Sequence, residues 1–174
     1  MSHSFSMSYV KGMEDYLDAN IRILRNKLED LAQRQEIFDI KKLLHYYTID
    51  ILGELAFSQS FGVQVSDDES LVPPVVEHSL LAAVTGSWPA MTKTLRKWLP
   101  MVPHHGLRAL FEGRAACAKL ASQCVEKRML ELQDSKEGTE QRKDILTNLI
   151  LAKDPDTGER LKQSDLEAEA FGFM

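Results

Sequence analysis

Apolar residues recur along this chain at intervals of three and four, the period of an amphipathic helix, and nowhere alternate as a strand would. From about Tyr9 to Gln35 the stripe Leu17, Ile21, Leu24, Leu28 and Leu31 predicts a first helix with one face against a core. Asp39 is a plausible cap for a second helix, from about Ile40 to Phe57. That helix is apolar on more than one face, through residues such as Leu43, Tyr46, Ile49, Leu52 and Leu55, which predicts neighbours on several sides. Ser60-Phe61-Gly62 ends it, and the acidic loop Asp67-Asp68-Glu69-Ser70 follows.

Pro73-Pro74 opens a third helix near its first turn, where a missing N–H costs little. This helix is expected to run to about Trp88, and beyond His78 it carries no charge. Prolines prevent a long helix between Trp88 and Pro103. A long fourth helix is expected from His105 to Gln133, a charged loop from Ser135 to Arg142, and a short fifth helix over Asp144 to Leu151. The turn Asp154-Pro155-Asp156-Thr157-Gly158 leads to a sixth helix, whose start reads as a capping box of Ser164 and Glu167. The fold class is all-α.

The last helix runs into Phe171-Gly172-Phe173-Met174 with no glycine, lysine or proline stop signal after it. The expectation is a piece of a larger protein, cut inside a buried helix, with Phe171, Phe173 and Met174 left without partners.

Composition changes little. The chain has 174 residues, 44% hydrophobic and 27% charged, which suits one globular domain. A net charge of −5 gives no basis for nucleic-acid binding. No apolar run approaches the roughly 20 residues of a membrane span. Cys117 and Cys124 lie in one predicted helix, roughly 10 Å apart by helical rise, too far for a disulfide. They read as buried or idle thiols in a reducing compartment.

Candidate chemistry is sparse. Asp154 to Gly158 resembles the start of a calcium loop, but the glycine is one position early and Asp165 stands where a bidentate Glu is wanted. A plain turn explains the same residues. His78, His104 and His105 are the other possible ligands, and exposed or loop histidines explain them more simply. Asp50 sits amid an apolar helix, so it is either a hydrogen-bonded structural acid or part of a site. There is no nucleophile elbow, phosphate-binding glycine loop or Cys-x-x-Cys pair. The segment Trp88 to Pro103 interleaves two tryptophans, Met91, Leu95, Leu99, Met101 and Val102 with Lys93, Arg96 and Lys97. It suits either a bilayer interface, with rings at headgroup depth and snorkelling cations, or a connection folded on the core.

Several segments, in this order, resemble the cytochrome P-450 family, and specifically its fungal, microsomal type. They are Ser2-His3-Ser4-Phe5-Ser6; Thr48-Ile49-Asp50-Ile51-Leu52-Gly53-Glu54-Leu55-Ala56-Phe57 with Ser60-Phe61-Gly62; Arg142-Lys143-Asp144-Ile145-Leu146; Lys153 to Leu161; and Asp165 to Phe171. The resemblance covers essentially the whole chain. It implies one incomplete domain over residues 1–174, holding the family's helices D to H and the N-terminal turns of helix I.

By that resemblance, Trp88 to Pro103 is the F–G connection, beside the substrate channel and in contact with the membrane. Leu81, Ala82, Thr85, Trp88, Gly172 and Phe173 are then the candidate substrate-channel residues. The parent would be a haem-thiolate monooxygenase, on the cytosolic face of the endoplasmic reticulum membrane. It would oxidise an apolar small molecule with O2 and electrons from an NADPH-dependent reductase. The family's oxygen-activating threonine segment, Glu-x-x-Arg pair and cysteine loop do not occur in this sequence. Neither Cys117 nor Cys124 has the context of the axial ligand. No catalytic residue and no metal ligand is therefore assigned, and the piece alone is expected to bind haem poorly and be inactive. The competing reading is a free-standing all-helical interaction or regulatory module without cofactor.

Overall fold

A computed structural model of the chain describes Tyr9, residues 11–134, residues 144–153 and residues 158–174. The segments 2–6, 135–142 and 154–157 singled out from the sequence lie outside the described residues. Eight α-helices are described: α1 (Glu14–Gln33), α2 (Ile40–Phe57), α3 (Val63–Ser66), α4 (Val75–Gly86), α5 (Thr92–Trp98), α6 (His105–Asp134), α7 (Ile145–Leu151) and α8 (Gln163–Gly172). Short 3-10 turns at Pro89–Met91 and Leu99–Met101 flank α5, each with a proline at its start, as expected of a proline-broken connection. No strand occurs among the described residues; Lys153 and Arg160 form a single antiparallel bridge.

The spine is α6, which packs against α2, α4, α7 and α8. Its buried positions Gly113, Cys117, Ala121, Cys124, Val125 and Arg128 recur at three and four residues. All but Val125 and Arg128 are small, which lets neighbouring helices approach closely. At Gly113 the approach is tight enough that an added Cβ would lie 2.6 Å from the Cβ of Glu77 on α4. The main core gathers Ala121, Cys124 and Val125 with Ala56 and Phe57 of α2, Leu146, Leu149 and Ile150 of α7, and Leu166 and Ala170 of α8. A second cluster joins Tyr46 and Ile49 to Val63.

Helix α2 has the several neighbours its apolar faces predict: α1, α3, α6 and α7 all touch it. Asp39 caps it, accepting from the backbone N–H groups of Lys41 at 2.9 Å and Lys42 at 3.4 Å. Its other end is closed by Ser58 in the left-handed region, two residues before the Ser60-Phe61-Gly62 segment expected to end it.

Three expectations need correction. The stripe of α1 seats only in part, with Leu17, Leu24, Leu28 and Leu31 half-buried. Ile21 is 46% exposed and lines an open surface groove with Leu24 and Leu28, while the one buried side chain of this helix is Asn20. The capping box of α8 does not form, because the helix begins two residues earlier than a Ser164 cap requires. Lys162 occupies the cap position without a side-chain bond, and Gln163 Nε2 donates to Glu167 Oε1 at 3.0 Å instead. Finally, Phe171, Phe173 and Met174 do have partners, since all three pack against the main core.

Candidate functional site

The carboxylate of Asp50 is 1% exposed, and its function is legible from its partners. Oδ1 accepts from the N–H of Val63 at 3.1 Å and Oδ2 from the N–H of Gln64 at 2.8 Å. These are the first two amides of α3, whose cap residue Gly62 offers no side chain. Of the two readings of Asp50, the structural acid holds: it caps a helix from another element. Gln64 in turn donates its side-chain amide to Asn20 at 2.9 Å, tying α3 to α1.

A larger buried polar hub was not legible from composition or periodicity. Asp144, fully buried, accepts from Arg128 Nη2 at 2.9 Å, from Ser58 Oγ at 2.6 Å and from the N–H of Thr147 at 2.7 Å. The Thr147 hydroxyl donates to the same carboxylate while accepting from Arg128 Nε at 2.7 Å. Tyr9 donates its hydroxyl to the Asp144 carbonyl at 2.8 Å. One carboxylate thus caps α7, meets a charge from α6 and closes the end of α2. Saturation by donors inside the fold makes this a structural device. The only sequence signal was Asp144 standing as a cap before Ile145.

The six channel candidates are divided by the fold. Glu77, Leu81 and Thr85 follow at intervals of four on α4, and Glu77 meets Gly113, so this face is turned to α6. Leu81 and Thr85 are accordingly buried, and Thr85 Oγ1 donates back to the Leu81 carbonyl at 2.8 Å. Ala82, Trp88 and Gly172 are exposed. A Cβ added at Gly172 would meet nothing within 4 Å, so the end of α8 presents open backbone. Phe173 turns to Phe57, with ring centroids 6.4 Å apart.

Between these groups lies a junction of α4, α6 and α8. The His78 ring meets Phe171 edge-on, centroids 4.5 Å apart, and the Arg114 guanidinium sits 4.7 Å from the centre of the same ring. His78 Nδ1 is buried and has no hydrogen-bond partner, and no carboxylate pairs with Arg114 among the described residues. Burial and then the Arg114 charge hold His78 below its usual value. Burial and then Arg96 do the same to Arg114. From the sequence His78 stands out only as a possible metal ligand. Among the described residues no three His, Cys, Asp or Glu side chains converge as a metal site.

The Trp88–Pro103 segment rests on α4 and α6 through half-buried Thr92, Leu95 and Leu99, but leaves its largest side chains outside. Trp88 is 65% exposed, Trp98 57% and Met101 69%. Lys93, Arg96 and Lys97 are exposed beside them. No described helix is long and apolar enough to cross a membrane.

Cys117 and Cys124 are both free and buried within the α6 core. Burial pushes both thiols up, and Cys124 Sγ accepts from Gln59 Nε2 at 3.2 Å. A thiolate that binds haem iron must be deprotonated and open to the porphyrin. Both sulfurs are enclosed in the helical core rather than open to a porphyrin, so neither fits as the axial ligand of a haem.

With this geometry in hand, the comparisons with known proteins are consistent. The family model for cytochrome P-450 matches residues 1–174. Cytochrome P-450 monooxygenase astA of Talaromyces wortmannii is 25% identical over 98% of this chain and 32% of its own length. Benzoate 4-monooxygenase bphA of Aspergillus niger is 27% identical, over 98% of this chain and 36% of its own. Cytochrome P-450 monooxygenase astD of Aspergillus oryzae is 29% identical, over 98% and 31%. The chain spans about a third of the length of these three relatives.

Proposed function

Because the chain belongs to the cytochrome P-450 family, we propose that residues 1–174 are the partial distal half of a single haem-thiolate monooxygenase domain. The whole protein would insert one oxygen atom from O2 into an apolar small molecule, taking electrons from an NADPH-dependent reductase. Haem supplies the oxygen chemistry in such a protein. The axial cysteine would come from outside this chain, and the chain alone would neither hold haem stably nor turn over substrate.

What these residues contribute is enclosure. Helix α4 beyond His78 is uncharged, and Ala82, Ala83 and Val84 are exposed on it. Such a surface accepts an apolar molecule without leaving a polar group unpaired. Together with Leu81, Thr85, Trp88 and the bare backbone at Gly172, it would line one wall of the substrate channel, with Phe173 supporting that wall from behind. The exposed tryptophans and neighbouring cations of Trp88–Pro103 support a contact with the cytosolic face of the endoplasmic reticulum membrane. Nothing in the charge balance favours nucleic acid as a partner. A free-standing interaction module is not favoured, since the family match runs through the whole chain.

The observation that carries this reading is that match, together with an all-α fold whose long α6 joins α4 to α8. The test is the ferrous–carbonyl absorption spectrum of the longest protein encoded through this segment. A thiolate-ligated haem band is expected. Its absence from a folded protein sinks the proposal.

A further inference from the structure

Two groups able to carry positive charge, His78 of α4 and Arg114 of α6, converge on Phe171 of α8. Neither has an acidic partner among the described residues, and one buried ring nitrogen of His78 is unbonded. Natural folds seldom leave such groups unmet, because a buried polar atom without a partner costs free energy and a half-buried cation more. The two buried carboxylates described above are, by contrast, met: Asp50 by two backbone amides and Asp144 by four donors. One residue can look like a counter-ion and is not. Glu77 adjoins His78 in sequence, yet its side chain is packed on Gly113, and its charge is felt at Cys117. Arg96 of α5 adds a further positive charge near Arg114. Gly172, next to Phe171, opens on free space.

We propose that His78 and Arg114 form an anchor for a carboxylate, so that the substrate of this surface is an apolar acid whose charged end docks at the α4–α6–α8 junction. The inference rests on the reading of this surface as the substrate channel. Arg114 offers parallel N–H donors that match a carboxylate, and the imidazole of His78 beside it adds positive charge when protonated. Phe171 closes one side and keeps the guanidinium in place. The uncharged face of α4 then receives the hydrocarbon part.

Isothermal titration of the 174-residue chain with 4-phenylbutyrate, and with its neutral counterpart 4-phenylbutanamide, tests this at low salt. The acid is expected to bind at least about tenfold tighter, as one charge-assisted pair would give. Arg114→Gln should erase that preference while leaving the amide's affinity in place. Equal affinities, binding of neither compound, or a preference that survives Arg114→Gln overturns the proposal. If Arg114→Gln does not fold, His78→Gln and the salt dependence of the unaltered chain decide instead. A preference that neither His78→Gln nor high salt reduces is equally fatal. No haem enters this measurement. An acid preference alongside a missing ferrous–carbonyl band removes the monooxygenase reading alone, and the reverse pattern removes the anchor alone.

Discussion

Arg128 Nη2 donates to Asp144 Oδ2 at 2.9 Å, with the arginine side chain 9% exposed and the carboxylate fully buried. The pair joins α6 to the first turn of α7, and Ser58 brings the end of α2 to the same oxygen. Breaking a buried pair from one side strands the other charge. Arg128→Met is therefore expected to cost about 3–5 kcal/mol. Urea unfolding followed by circular dichroism measures it. A loss under about 1 kcal/mol would show that the remaining donors satisfy Asp144 by themselves.

Asp50→Ala removes the acceptor for two amides at the start of α3. Each orphaned buried N–H costs about 1–3 kcal/mol, and Asp50→Asn, which keeps one acceptor oxygen, should recover part of that loss. The same unfolding assay ranks the three proteins. Were Asn no better than Ala, the capping account of Asp50 would be wrong.

Gly113→Ala sets helix propensity against space. Alanine favours an isolated helix by up to about 1 kcal/mol. Here its Cβ would sit 2.6 Å from the Glu77 Cβ, so α4 and α6 must separate. Overpacking of about 1–3 kcal/mol should win, lowering the urea midpoint. Glu77→Ala should not rescue it, since alanine keeps the Cβ responsible, whereas Glu77→Gly should.

The pH dependence follows from His78, whose value is lowered by burial and by Arg114. The unfolded chain takes up this proton near the ordinary value of 6.5, before the folded one does. In that window the unfolded state binds more protons, so stability rises with pH. Stability present above pH 6.5 should decline as the solution is acidified through that value, and level off below the folded one. Thermal melts across that window should show a smaller decline in His78→Gln. An identical profile in the variant would assign the pH response to other groups.

Much of this architecture is written in local pattern. The period of three and four, the prolines around Trp88–Pro103 and the capping aspartate Asp39 place six principal helices to within a few residues, because each acts on backbone a turn or two away. Where the local cues competed, they misled. Ser164 and Glu167 make a plausible capping box, yet the helix starts earlier and Gln163 takes Glu167. The α1 stripe has proper spacing, but only a neighbour can turn amphipathicity into burial, and Leu24 and Leu28 are left beside an open groove. Of the channel residues, the uncharged run of α4 was visible from composition, whereas its division into a face against α6 and an exposed face was not.

The order of soft motifs along the chain was enough, by itself, to indicate the family and an all-α fold, since motif order survives without coordinates. Tertiary structure alone decided what the charged residues are for. Asp50 reaches amides 13 residues away, Ser58 meets Asp144 across 86 residues, and His78 meets Phe171 from another helix. Such pairings depend on how whole helices cross, and the energy of a buried charge is set by the groups around it in space rather than by its neighbours in sequence.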